Sequence, residues 1–311
     1  MNWIMWGGIT AAIVLLALVA PFLRELARPK VGAVQRDGAE GAFATLSQGV
    51  THYRWIGPVR GPVVVMIHGI ATPMEGMEPL AEGLGSLGYR VLTYDLYGRG
   101  LSDAPEGRQD RVFFMRQLED LLNHLGIEQE LTLCGYSMGG AIATAYAAEH
   151  AYRVNRLILV ASTGVMIREN GFTKFTKRRR IIGSWLHALA ARNRINKTIP
   201  LDDQRPAVSR VLVAQRQELK RRGFLPSLLS SQRGMASEMQ EKEHRALGRS
   251  GVPVIAIWAE KDAEVPSEAV TVLARWNRRA RQQVIAGASH ALPYTHGEEV
   301  LSAIRQGLRV D

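Results

Sequence analysis

The chain of 311 residues holds one cysteine, Cys134. A lone thiol excludes an intramolecular disulfide framework and a cysteine-built metal site. No metal-ligand spacing and no dinucleotide-binding glycine fingerprint occurs, so neither a metal nor a cofactor is implied. Internal repeats and long low-complexity tracts are also missing, which leaves ordinary globular architecture. Hydrophobic residues make up 46% of the chain, enough for a substantial core. Charge is absent from one whole region: no Lys, Arg, Asp or Glu precedes Arg24.

That uncharged stretch, Ile4 to Leu23, reads IMWGGITAAIVLLALVAPFL, with Thr10 its one clearly polar side chain. Twenty helical residues cover about 30 Å, the hydrocarbon thickness of a bilayer. Trp3 and Trp6 stand at one end, where indole rings favour the interface. A cleaved signal peptide is the rival reading, but no basic residue precedes the run and no small-x-small cleavage site follows it. A buried core helix is rarely so long and so uniformly apolar. A single-pass membrane anchor with its flank is therefore expected over 1–30. Arg24, Arg28, Lys30 and Arg36 all follow the span, which predicts a cytoplasmic main domain.

The net charge of +10 is concentrated. Between Thr163 and Ser250 the chain carries 19 Lys and Arg against 7 Asp and Glu, while the remainder holds 20 against 22. Two roles fit this basic segment: a solvated helical lid, and a lid that also touches anionic lipid. Nucleic acid is not expected as a partner, because no nucleic-acid motif accompanies the charge.

Outside that segment, strand patterns alternate with helix patterns. GPVVVMIHG (61–69) has the apolar, β-branched character of a buried strand; MEPLAEGLGSLG (77–88) fits a helix; YRVLTYDLYGRG (89–100) is a strand with a glycine-rich exit. The helix pattern over 111–126 places Phe114, Leu118, Leu121, Leu122 and Leu125 on one face. The alternation predicts an α/β fold, a mostly parallel sheet with helices on both faces. The rhythm stops at Thr163 and resumes with PVIAIWAEKD (253–262) and QQVIAG (282–287). The expected organisation is a first core part over 31–162, a helical cap over 163–250, and a second core part over 251–311.

One junction carries the chemistry. GYSMG (135–139) follows the strand-like LTLC and opens a helix of small residues, the setting that a G-x-S-x-G nucleophile elbow requires. Ser137 is the candidate nucleophile, and it needs a base. His290, in GASHALPY directly after a predicted strand, is the candidate, whereas His124 and His187 fit structural positions better. Asp262, in the turn of IWAEKDAEVP, is the candidate acid that orients the imidazole, with Glu260 and Glu264 as substitutes from the same turn. The oxyanion donors are expected to be the backbone amides of Met138 and Ile70. Cys134, under the elbow, fits a small core residue.

Taken together, HGIA (68–71), DLYGRGLSD (95–103), GYSMGG (135–140), EKDAEVP (260–266) and GASH (287–290) resemble the motif series of the α/β-hydrolase fold superfamily, in its capped, serine-nucleophile branch. The resemblance covers roughly residues 43–310, with 163–250 matching only as a generic helical cap. It implies a structural role for Asp95 and an ester-cleaving acyl-enzyme mechanism. With the anchor and the basic cap, it extends to membrane-attached monoacylglycerol lipases and a lipid-like ester. Carbon–carbon bond hydrolases and acyltransferases share the same triad, and an inactive membrane-linked scaffold is the non-enzymatic alternative. Epoxide hydrolases and haloalkane dehalogenases are disfavoured, because their elbow carries aspartate in place of Ser137.

Overall fold

The computed structural model describes residues 2–308; Met1 and 309–311, at the outer ends of the expected anchor and second core part, lie outside the described residues. Eight strands form one sheet: β1 (Ala42–Leu46), β2 (Gly49–Ile56), β3 (Val63–Ile67), β4 (Arg90–Tyr94), β5 (Leu131–Tyr136), β6 (Val154–Val160), β7 (Val254–Ala259) and β8 (Arg281–Ile285). Their spatial order is β1-β2-β4-β3-β5-β6-β7-β8. β2 is antiparallel to both neighbours, and β3 to β8 are mutually parallel.

The helices are α1 (Asn2–Leu26), α2 (Ala33–Arg36), α3 (Glu78–Ser86), α4 (Arg111–His124), α5 (Met138–Glu149), α6 (Gly171–Arg178), α7 (Arg180–Thr198), α8 (Pro206–Glu218), α9 (Phe224–Arg233), α10 (Glu241–Ser250), α11 (Glu268–Trp276), α12 (Leu292–Thr295) and α13 (Gly297–Leu308). Side chains alternate across the strands, so each parallel strand feeds two cores. In β7, Val254, Ala256 and Trp258 join Phe114, Leu118 and Ile142 on the α4–α5 face. Ile255, Ile257 and Ala259 join Leu80, Leu84, Val300 and Ile304 on the α3–α13 face. This double burial is why the central strands read as unbroken apolar runs. The α4 helix is started by Asp110, whose carboxylate accepts the Phe113 amide at 3.3 Å.

Helices α6 to α9 form a layer with its own small core of Ala191, Val208, Leu212, Phe224 and Leu228, packed against Ile70 and Ala71 of the loop after β3. Helix α10 departs from the expected cap boundary. It packs on α5 and α11, buries Leu247 in the sheet core, and is preceded by Gln240, whose amide donates to the Ala141 carbonyl at 2.8 Å. Parallel neighbours β6 and β7 need a crossover helix, and α10 supplies it; its many charges are its solvent face. The sequence pattern does not separate these charges from those of the cap.

Helix α1 runs past the expected end of the apolar span to Leu26, and is long and apolar enough to cross a membrane from Trp3 to Leu26. Its side chains do not fill a core: Leu15 and Leu16 are 63% and 62% exposed. It is tied down at its C-terminal end and by the residues just after it. The Glu25 carboxylate accepts the Gly223 amide at 2.7 Å, the Pro29 carbonyl accepts the Arg222 amide at 3.0 Å, and α1 packs on α7. The exposed helix is thereby fixed to the cap layer and not to the sheet.

Candidate active site

Three parallel strands, β5, β7 and β8, end at the same edge of the sheet and present the expected residues. Ser137 occupies the tight turn between β5 and α5 with φ 53° and ψ −121°, a conformation costly for any residue with a Cβ. The cost is met by close packing that only glycine allows. A Cβ on Gly139 would lie 2.1 Å from the Ile67 carbonyl oxygen, and one on Gly135 would lie 2.3 Å from the Gly139 carbonyl oxygen. The backbones of β3 and α5 therefore meet directly, and the turn has no room to relax.

His290 lies in the loop after β8, with Nε2 3.0 Å from Ser137 Oγ. Its Nδ1 is 2.8 Å from Asp262 Oδ2, in the turn after β7. The other Asp262 oxygen accepts the Glu264 and Val265 amides at 2.8 and 2.9 Å, which leaves one oxygen for the imidazole. The structure thus brings Ser137, His290 and Asp262 together. The two substitute carboxylates lie elsewhere. Glu260 accepts the Gly287 amide at 2.8 Å, and Glu264 stands on the opposite side of the ring, 3.4 Å from Nε2. Burial alone would lower the His290 pKa from 6.5, but the Glu264 carboxylate and the Asp262 hydrogen bond outweigh it and hold the pKa above that value.

Met138 is the first residue of α5, where amides have no partner within the helix. Ile70 lies across from it in the loop after β3, beside Ser137. This loop is held by groups that sequence reasoning did not assign. His68 accepts the Leu96 amide on Nε2 at 2.9 Å and so donates from Nδ1 to the Gly69 carbonyl at 2.7 Å. Burial keeps its pKa down to about 4, consistent with that neutral tautomer. The buried Arg99 guanidinium donates to the Ile70 carbonyl at 3.0 Å and to Gln109 and Ser231 at 2.7 and 2.8 Å, joining the loop to α9 of the cap. The available signal for Arg99 was a cation set between the two glycines of DLYGRG. Tyr136 donates its hydroxyl to the His290 carbonyl at 3.0 Å, steadying the histidine loop.

Asp95 lies apart from Ser137, His290 and Asp262 and organises the loop after β4. It accepts the His52 imidazole at 2.8 Å and the Leu101 amide at 2.9 Å, while a Cβ on Gly100 would overlap it. Burial pushes the Cys134 thiol up to about 12, which fits its place in the core. No group of His, Cys, Asp and Glu suited to a metal occurs among the described residues.

Two cavities meet at Ser137 and share Ile70, Ala71, Ile195 and Thr198 as walls. One, of about 470 Å³, extends along Val208, Leu212 and Phe224; the other, of about 550 Å³, along Ile167, Phe172, Ala191 and Leu228. A hydroxyl, an imidazole and a carboxylate in series, set between two lobes that join apolar walls to charged residues such as Arg205, Lys261, Arg168 and Arg194, have the form of a hydrolase site.

The chain belongs to the alpha/beta hydrolase fold family, whose match spans residues 62–297. It is 26% identical over 298 residues to "Epoxide hydrolase 3" of Xenopus tropicalis, covering 88% of this chain and 79% of that protein. It is 36% identical over 109 residues to "Lipase 1" of Psychrobacter immobilis, covering 35% of this chain and 34% of that one. Among solved structures, a bacterial membrane phospholipase A superposes with a TM-score of 0.70 at 20% identity, covering 99% of this chain and 98% of that chain.

The elbow packing sets one expectation. Gly139→Ala forces a methyl group into the Ile67 carbonyl, and should destabilise the protein by about 2–4 kcal/mol, measured by denaturant unfolding. An unfolding midpoint equal to wild type would show that β3 and α5 separate freely.

Proposed function

We propose that the protein hydrolyses a carboxylic ester of a membrane lipid, a monoacylglycerol or a related acyl lipid, through an acyl-enzyme. The observation that carries this reading is the Ser137–His290–Asp262 series opening on two cavities with apolar stretches, Val208, Leu212 and Phe224 in one and Ile167, Phe172 and Leu228 in the other. Ser137 Oγ passes its proton to His290 Nε2 and attacks the ester carbonyl carbon. The resulting oxyanion is held by the Met138 and Ile70 amides, while Asp262 stabilises the imidazolium. Collapse breaks the carbon–oxygen bond as His290 returns the proton to the departing alcohol. Water, deprotonated by the same nitrogen, then frees the fatty acid and Ser137.

Support for a lipid substrate comes from the exposed apolar α1 next to the cap, and from exposed Ile181, Ile182 and Leu189 on α7. The name of the structural relative, a membrane phospholipase A, points the same way. The cations after the span favour a single-pass anchor with the domain on the cytoplasmic side. Epoxide opening, suggested by the name of the Xenopus relative, fits less well. Attack by a serine oxygen on an epoxide gives an ether, which has no carbonyl for water to attack afterwards.

Two measurements test this reading. A fluorophosphonate probe should label wild type and fail on Ser137→Ala, and His290→Ala should slow ester turnover by about 10³-fold or more. Substrate profiling should favour acylglycerols or lysophospholipids over soluble short-chain esters. Cleavage of short-chain esters alone, or acyl transfer to an alcohol without hydrolysis, would refute lipid-ester hydrolysis.

The pH dependence has a defined sign. His290 must be neutral to accept the serine proton, so kcat/KM should fall as pH falls, with a midpoint above 6.5. Glu264→Gln removes the carboxylate beside Nε2, and should move that midpoint to lower pH. An unmoved acid limb would mean that Glu264 does not act on the imidazole.

A further inference from the structure

Where α1 meets the cap, a crevice of about 560 Å³ is lined by Arg24 and Arg28 of the N-terminal segment, Leu189, Arg192 and Asn193 of α7, and Lys220 after α8. Four cations thus converge on one opening. The Glu25 carboxylate is the acidic group beside them, and it is engaged by Arg28 at 2.6 Å and by the Gly223 amide. Arg24, Arg192 and Lys220 have no ion-pair partner among the described residues. Like charges gathered this way repel one another, and an anion in the crevice removes the repulsion. The guanidinium forks suit an oxyanion with several acceptor oxygens.

The position of the crevice narrows the ligand. Arg24 is the first charge after the apolar helix, so the crevice stands at the level where an inserted α1 leaves the hydrocarbon and enters the headgroup layer. The α7 helix repeats this partition: Ile181, Trp185, Ala188, Leu189 and Arg192 follow helical spacing along one stripe, and Ile181 is 86% exposed. We propose that the crevice between α1 and α7 binds the phosphate of an anionic phospholipid headgroup. A headgroup held there braces α7, whose Ala191 and Ile195 wall the cavity above Ser137. The inference rests on the proposed membrane anchoring, not on the identity of the ester.

The test uses the full chain carrying Ser137→Ala, so that added lipid stays intact, in neutral detergent micelles. Short-chain phosphatidylglycerol, phosphatidylcholine and inorganic phosphate are titrated, with bound lipid read by native mass spectrometry. Phosphatidylglycerol should bind more tightly than phosphatidylcholine, and more weakly as salt rises. Arg28→Gln/Arg192→Gln should weaken it by about tenfold. Arg24→Gln/Lys220→Gln, at two exposed positions, should do the same and guards against misfolding of the first pair. Arg275→Gln/Arg278→Gln, remote from α1, should leave it unchanged. Equal binding of the two lipids, or full binding by both crevice variants, overturns the proposal. Displacement by inorganic phosphate at matched ionic strength would assign the crevice to the free ion and overturn the lipid source. Alkaline extraction of the full chain from membranes separates the two readings. Release into the soluble fraction would overturn the anchor, whereas retention without a phosphatidylglycerol preference would overturn the headgroup site alone.

Discussion

The backbone of Ser137 is held at a positive φ by direct contact between the end of β3 and the start of α5, and the geometry of the site follows from that contact. The turn is unfavourable in isolation, so it persists only because the surrounding chain leaves no alternative. Gly139 against the Ile67 carbonyl and Gly135 against Gly139 close the distance. Strands β3, β5, β7 and β8 then end at the same edge of the sheet, where the hydroxyl, the imidazole and the carboxylate lie within hydrogen-bonding distance in series and Ile70 lines the same cavity. A side chain at either glycine would separate the two elements that set the hydroxyl against the loop after β3.

A second tier of polar groups keeps the loops from moving independently. His68 and Arg99 hold the loop after β3 from below and behind, and Arg99 also reaches Ser231 in α9. Glu218, at the end of α8, accepts the Gly100 amide at 3.1 Å and pairs with Arg221 at 2.9 Å. The cap is therefore wired to the same DLYGRG loop that holds the loop after β3 through Arg99. Burial is expensive for these charges, and their hydrogen bonds offset it only while the cap is seated. The network thus makes the cap part of the construction of the site, beyond a cover placed over it.

Much of this was legible in the residues because each feature has a local signature. The central strands are apolar without interruption, since both faces are covered; the elbow has glycines where backbones touch; Asp262 and His290 each follow a strand directly. The opaque parts depend on distant contacts. Nothing local in EKEHRALGRS tells that α10 belongs under the sheet and not with the cap, because its charged stripe resembles theirs. The choice among Glu260, Asp262 and Glu264 is made by the Glu264 and Val265 amides, which consume one oxygen of Asp262 and aim the other. The role of Glu264 on the far side of the imidazole is likewise set by how the loops after β7 and β8 face each other.

The attachment of α1 bears on how the proposed lipid ester would reach a buried serine. A tether joined to the sheet would leave the cap to move relative to the bilayer. Here Glu25 in the last turn of α1 is bonded to Gly223, Pro29 just after the helix is bonded to Arg222, and α1 packs on α7. If α1 spans the bilayer, the layer held nearest to lipid is the one that walls both cavities. For the proposed lipid ester, the cavity walls Ala191 and Ile195 then belong to the helix on which α1 packs. Transfer into water costs about 0.8 kcal/mol for each methylene, so for the proposed acyl ester an entry beside the bilayer lowers the cost of reaching Ser137.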